Sequence, residues 1–140
     1  MKRITRSAIV ERSAEDSYAL VEDIESYPEF LPWCLGAQVR ERAPGRTVAT
    51  LTVGTKGLRQ SFTTENRNKP GRAIEMRLLE GPFRRFAAAW RFTPLAAHAA
   101  KIEFHLEYEF ANRLVARALE PLFEHLADSM VAAFARRAAR

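Results

Sequence analysis

Three histidines, one cysteine and a scatter of carboxylates are the side chains of this 140-residue chain that could move a proton, attack a carbon or hold a metal. His98, His105 and His125 share neither i, i+4 spacing nor a Cys-x-x-Cys partner, so no metal site is expected. Cys34 follows Phe30-Leu31-Pro32-Trp33, and no motif around it supplies the cation or helix start that would lower its thiol pKa. It reads as a small buried hydrophobe. Gly54-Thr55-Lys56-Gly57 lacks the spacing and the following helix of a phosphate-cradling loop. Glu103, Glu107 and Glu109 alternate with apolar residues, so by parity they point away from any interior. No catalytic residue is therefore expected.

What remains is apolar, and its spacing prescribes the elements. Ile102, Phe104, Leu106, Tyr108 and Phe110 alternate with polar residues as in a strand with one greasy face. From Asn112 to Ala138 the apolar residues Val115, Leu119, Leu122, Phe123, Leu126, Met130 and Phe134 recur at helical spacing. A long apolar helix must lie across an aromatic-lined sheet, and the space between them is either a core or a pocket.

Upstream, Arg3 to Glu11 reads as a first strand, and Ser13 with Asp16 three residues on forms a capping-box-like start to a helix reaching about Ile24. Pro28 and Pro32 restrict further helix to one short turn around Glu29 to Leu31. Pro44-Gly45, Lys56-Gly57, Pro70-Gly71 and Gly81-Pro82 are turn signals. Between them lie strands at about 36–43, 47–55, 58–67, 72–79, 84–93 and 101–110, joined by loops short enough to require an antiparallel meander.

Pairing Trp90 with Phe104 also pairs Phe86 with Tyr108 inside, and sets Arg91 against Glu103 and Arg85 against Glu109 outside. Leu51 and Val53 are expected to face inward beside Phe62 only through a bulge near Gly54 or Gly57. Pro121 removes a helical hydrogen bond and crowds the Arg117 carbonyl, so a kink or break is expected there.

The candidate lining of the sheet–helix space comes from four places. Phe30, Leu31 and Trp33 lie in the proline-rich loop, and Phe62, Met76, Phe83, Phe86 and Trp90 in the middle strands. Phe104 and Tyr108 come from the last strand, and Phe123, Leu126 and Met130 from the closing helix. Such residues fill most cores, yet bulky rings on a strongly curved sheet also build apolar ligand pockets. Arg6, inward by parity, is a candidate anchor unless it snorkels to the rim. Outward, Arg59, Arg67, Arg77, Arg85 and Arg91 are candidates for phosphate contacts.

Composition agrees with one domain over residues 1–140: 47% hydrophobic and 28% charged residues, without repeats or low complexity. The charge is uneven, acidic from Glu11 to Glu29 and basic from Arg40 to Lys101, with a net of +5. No apolar run reaches the roughly 18 residues of a membrane span, and a signal peptide is not expected. A single cysteine cannot form an internal disulfide, which fits a reducing, cytoplasmic setting.

The stretches Tyr27-Pro28-Glu29-Phe30-Leu31-Pro32-Trp33-Cys34, Gly81-Pro82-Phe83, Trp90-Arg91-Phe92-Thr93-Pro94-Leu95, Ile102-Glu103-Phe104-His105-Leu106 and Met130-Val131-Ala132-Ala133-Phe134 resemble one family. It is the ribosome association toxin (RatA) and coenzyme Q-binding protein family of the START-like, polyketide cyclase/dehydrase superfamily. The resemblance implies an α+β helix-grip fold, a curved antiparallel sheet of about seven strands gripping the C-terminal helix.

Its functional implications divide. One branch implies a non-enzymatic protein that holds ubiquinone or a related isoprenoid lipid and supports respiration, with no cofactor required. Another implies association with the large ribosomal subunit, here through a basic surface. A cyclase or dehydratase activity of the same superfamily is a third. The lipid-binding reading is the first expectation, with a hydrophobic small molecule as partner. The large ribosomal subunit and a transient contact with the inner membrane surface are further partners, and DNA is not expected.

Overall fold

The computed structural model describes residues 1–55 and 57–139. Its first strand, β1 (Lys2–Val10), leads to Ser13, whose hydroxyl accepts the Asp16 amide at 3.0 Å and caps helix α1 (Ala14–Glu22). This satisfies one of the free amides of the first turn. The short turn expected around Glu29 to Leu31 lies earlier, as a 3₁₀ turn over Ile24–Glu29. Tyr27 decides its position. Its ring is buried, its hydroxyl donates to the Val21 carbonyl, and its own carbonyl accepts the amides of Phe30 (3.3 Å) and Leu31 (3.0 Å), closing the turn before Leu31.

The meander then runs through β2 (Cys34–Ala43), β3 (Arg46–Thr55), β4 (Leu58–Lys69), β5 (Ala73–Glu80), β6 (Phe83–Ala96) and β7 (Ala99–Phe110). All neighbours pair antiparallel in one seven-stranded sheet ordered β1-β7-β6-β5-β4-β3-β2, which leaves β1 and β2 as its edges. The β6–β7 register is the expected one: Trp90 faces Phe104, Phe86 faces Tyr108, Arg91 faces Glu103 and Arg85 faces Glu109. The ion pairs do not follow that register. A bulge between Phe83 and Arg85 brings Arg84 to Glu109 at 3.0 Å, and Glu103 instead lies near Lys101 (3.5 Å) and His105 (3.3 Å).

The bulge expected near Gly54 or Gly57 is absent. Pairing runs without a shift from Arg46–Arg67 to Thr55–Leu58, and a two-residue connection by itself places Leu51 opposite Phe62 on one face. Gly57 takes φ +73°, as such a turn needs, while Lys56 lies outside the described residues. The shifts fall elsewhere, twice in β2 and once between β4 and β5 at Thr63/Thr64, in addition to those in β6.

Helix α2 (Arg113–Ala138) starts at Asn112, whose side chain accepts the Val115 amide at 2.9 Å. Of the kink or break expected at Pro121, a break does not occur: the helix runs unbroken from Arg113 to Ala138. Pro121 is exposed, while Leu119, Leu122 and Phe123 on either side are at most 3% exposed against the sheet. Packing of these neighbours outweighs one missing hydrogen bond, whose carbonyl can be met by water. The result is the α+β helix-grip architecture, with one core between the concave sheet face and the helices.

Candidate functional site

The sheet–helix space holds a hollow of about 30 Å³. Phe62, Met76, Phe86, Trp90 and Phe104 reach it from the sheet, and Phe123, Leu126 and Met130 from α2. Tyr27, Leu51 and Leu106 complete the wall, residues the sequence pattern did not single out for it. A second hollow of about 20 Å³ shares Tyr27, Leu51, Met76 and Trp90 with the first and continues toward α1. Each has room for about one water molecule, whereas ligand pockets run to roughly 300–1,000 Å³. The rings interlock, with Phe123 5.1 Å from Phe83 and Trp90 5.1 Å from Phe134, both edge-on.

Five expected lining residues lie off this hollow. Phe30 is half-buried against Phe134 at 5.1 Å, with the Arg137 guanidinium 4.8 Å above its ring. Leu31 is fully buried, and Trp33 donates its indole N–H to the Ser129 hydroxyl at 3.0 Å, tying the proline-rich loop to α2. Phe83 stacks on Phe110 at 5.2 Å. Tyr108 lines a separate, open cleft of about 550 Å³ beside the start of α2. Its buried hydroxyl has no hydrogen-bond partner among the described residues, and burial with the nearby Glu120 charge raises its pKa to about 12.

The smaller hollow has a polar pair in its wall. Thr64 and Asn66 are 4% and 5% exposed, and the Thr64 hydroxyl donates to the Asn66 side-chain oxygen at 2.8 Å. Both line the smaller hollow. Their parity with Phe62 was the signal for this inward position. No acid, histidine or lysine lines either hollow among the described residues.

The remaining reactive side chains have defined places. Cys34 is 3% exposed, its Sγ donates to the Gly36 carbonyl at 3.4 Å, and burial pushes its thiol up to about 11, far from a nucleophile's range. His105 lies on the outer face 3.3 Å from the Thr5 hydroxyl, and His125 is exposed on α2. No cluster of three metal-ligating side chains occurs among the described residues. Arg6 does not enter the hollow. It reaches the rim and donates to Asp128 on α2 at 2.6 Å, and Lys2 meets Glu124 there at 2.6 Å.

On the convex face the expected arginines separate into two groups. Arg77 is held by Glu65 at 2.7 Å, and Arg46 reaches the same carboxylate at 2.8 Å. Those two hydrogen bonds hold Glu65 below its ordinary pKa. Arg59, Arg67, Arg85 and Arg91 are exposed and form no close ion pair among the described residues, although Arg67 and Arg91 join Lys69, the main cause, in holding Glu75 below its ordinary pKa. Because the sheet curves around α2, its outer surface presents these charges to solvent over β4 and β6.

Known proteins align with this chain along almost its whole length. The family described as polyketide cyclase/dehydrase and lipid transport matches residues 10–135. The ribosome association toxin RatA of Escherichia coli (strain K12) is 44% identical over 138 residues, covering 99% of this chain and 87% of that protein. The mitochondrial coenzyme Q-binding protein COQ10 homolog B of Xenopus laevis is 28% identical, covering 99% of this chain and 59% of that protein. Among solved structures, the Zhui aromatase/cyclase from Streptomyces sp. R1128 superposes with a TM-score of 0.85 over 98% of this chain and 93% of that one. At 19% identity that likeness concerns the fold alone.

Proposed function

This chain belongs to the polyketide cyclase/dehydrase and lipid transport family, in the group that holds RatA and the coenzyme Q-binding proteins, and from that premise we propose that it is a non-catalytic protein that associates with the large ribosomal subunit. The observation that carries this reading is the contrast between inside and outside. A hollow of about 30 Å³ with an unreactive wall offers little to a ligand, while Arg59, Arg67, Arg85 and Arg91 stand exposed on the sheet's outer face without a close ion pair among the described residues. Exposed arginines are suited to phosphates, since each displaces condensed counterions and offers a forked donor. The 44% identity to a protein named for ribosome association supports the same choice, and a cytoplasmic location goes with it.

Cosedimentation with purified large subunits across a salt series tests the proposal. Association should be steeply salt-dependent and should fall at least tenfold when Arg59, Arg85 and Arg91 are changed together to glutamate. Binding that persists unaltered in that variant rejects it.

A second reading, retention of a quinone-like lipid, is favoured by the Thr64–Asn66 pair, because ligand sites combine an apolar wall with a few polar anchors. The likeness to a coenzyme Q-binding protein supports it at a lower identity. It requires the hollow to open about tenfold. Organic extracts of the purified protein that contain a quinone, with fluorescence of Trp33 and Trp90 quenched on quinone addition, would establish it. Empty extracts and unchanged fluorescence would dismiss it.

A further inference from the structure

The outer face of β2, β3 and β4 carries a groove of about 620 Å³ whose floor is made of hydroxyl groups. Thr50 and Thr63 sit directly opposite each other with their hydroxyls 2.7 Å apart, and Thr52 and Ser61 repeat the arrangement at 2.8 Å. Within each pair one hydroxyl donates to the other, so one O–H hydrogen and several lone pairs per pair remain for a partner. Residues two apart along a strand are separated by about 7 Å, which makes the pairs a regular ladder of hydrogen-bonding groups. Arg40 stands at the β2 side, with its Nε donating to Thr50 at 3.2 Å. Exposed Arg59 lies just outside the groove's lining, near the start of β4 and two residues along the strand from Ser61. Glu80 is the acid that lines the groove, and Gln38 adds a side-chain amide.

From this juxtaposition we infer that the groove binds the ribose–phosphate backbone of duplex RNA, the arginines taking phosphates and the hydroxyl ladder taking 2′-hydroxyls. The inference rests on the ribosome-association reading and names the chemistry of that contact. Duplex RNA is recognised through its 2′-hydroxyls and phosphates, and a 2′-hydroxyl both donates and accepts, as the ladder does. Single strands are instead held by stacking on exposed rings. The one aromatic residue on these three strands, Phe62, belongs to the groove's lining but is 6% exposed, its ring packed with Phe83, Phe86 and Phe123 in the core. The groove lies on the same convex surface as Arg67, Arg85 and Arg91, so phosphates leaving it meet further exposed cations.

Fluorescence anisotropy with a labelled blunt RNA duplex and a DNA duplex of the same sequence tests this directly. The full chain should bind the RNA at least tenfold tighter. A Thr50→Val, Ser61→Ala, Thr63→Val variant, whose residues are compatible with strands, should lose that preference and keep its salt dependence. Circular dichroism melting confirms that it folds. Arg40→Ala with Arg59→Ala should weaken both duplexes and reduce the slope of log K against log salt by roughly 2. Equal binding of RNA and DNA by the unaltered chain, or an RNA preference that survives loss of the hydroxyls, overturns the inference. Cosedimentation of the same proteins with large subunits separates the two levels. If the groove variants sediment like the unaltered chain, the groove is not the contact and the broader reading stands. If the unaltered chain does not sediment, the broader reading falls.

Discussion

Replacing Phe123 by alanine distinguishes a packed interior from a ligand chamber. Phe123 is 1% exposed and lies 5.1 Å from Phe83, 5.6 Å from Phe110 and 5.9 Å from both Phe62 and Tyr108, ring centre to ring centre. Truncating a fully buried phenylalanine costs about 3–5 kcal/mol, transfer and residual cavity together. The upper part of that range is expected here, because four of the neighbouring rings are anchored on paired strands and cannot follow into the gap. Urea titration by circular dichroism should therefore show a loss of about 4 kcal/mol. Thermal melting should show a drop of roughly 10–15 °C for a chain of this size. Leu114→Ala, at a position 78% exposed, serves as the control and should change stability by less than about 0.5 kcal/mol. A loss below about 1.5 kcal/mol for Phe123→Ala would mean that the rings are loosely held, and the filled-core account would be wrong.

Two further expectations concern the helix and the outer face. Pro121→Ala should stabilise the protein by about 1–3 kcal/mol, since it restores an amide donor in a helix that is already continuous, and an unchanged or lower denaturation midpoint would refute that. Glu65→Gln should destabilise the protein near neutral pH, with the effect fading in acid. The carboxylate is held below its ordinary value of 4.5 by hydrogen bonds from Arg46 and Arg77, so its contribution is complete above that value and disappears as pH falls through the lowered one. Denaturant midpoints of the two proteins should converge on acidification, and a gap that stays constant would show that Glu65 acts through packing.

The strongest periodicities in the chain proved the most legible. In β6 and β7 the alternation of rings and charges admits one register that suits both faces, and the pairing of Trp90 with Phe104 follows from it. The capping of α1 by Ser13 was equally local, since a hydroxyl and an amide three residues on need no distant partner. That the helix would run unbroken through Pro121 was not legible, because the proline's intrinsic cost is local, whereas the packing of Leu119, Leu122 and Phe123 is tertiary. The choice of Arg84 over Arg85 by Glu109 depends on a bulge that alternation cannot reveal. The residues around the hollow were largely identifiable, but its size was not, because free volume is set by how side chains from five strands, the 3₁₀ turn and two helices interlock. Thr64 and Asn66 were passed over for their polarity, although they continue the inward row begun by Phe62.

Strand β2 has one further consequence, arising from its position at the margin of the sheet. A straight exposed margin offers its free amides and carbonyls to any extended chain, and protein aggregates grow by that route. In β2 the spacing of those groups is interrupted between Cys34 and Gly36 and again between Val39 and Glu41. An incoming strand would lose register at each interruption. The same irregularities that complicate pairing with β3 thus guard the molecule against polymerising with its own copies when it is abundant.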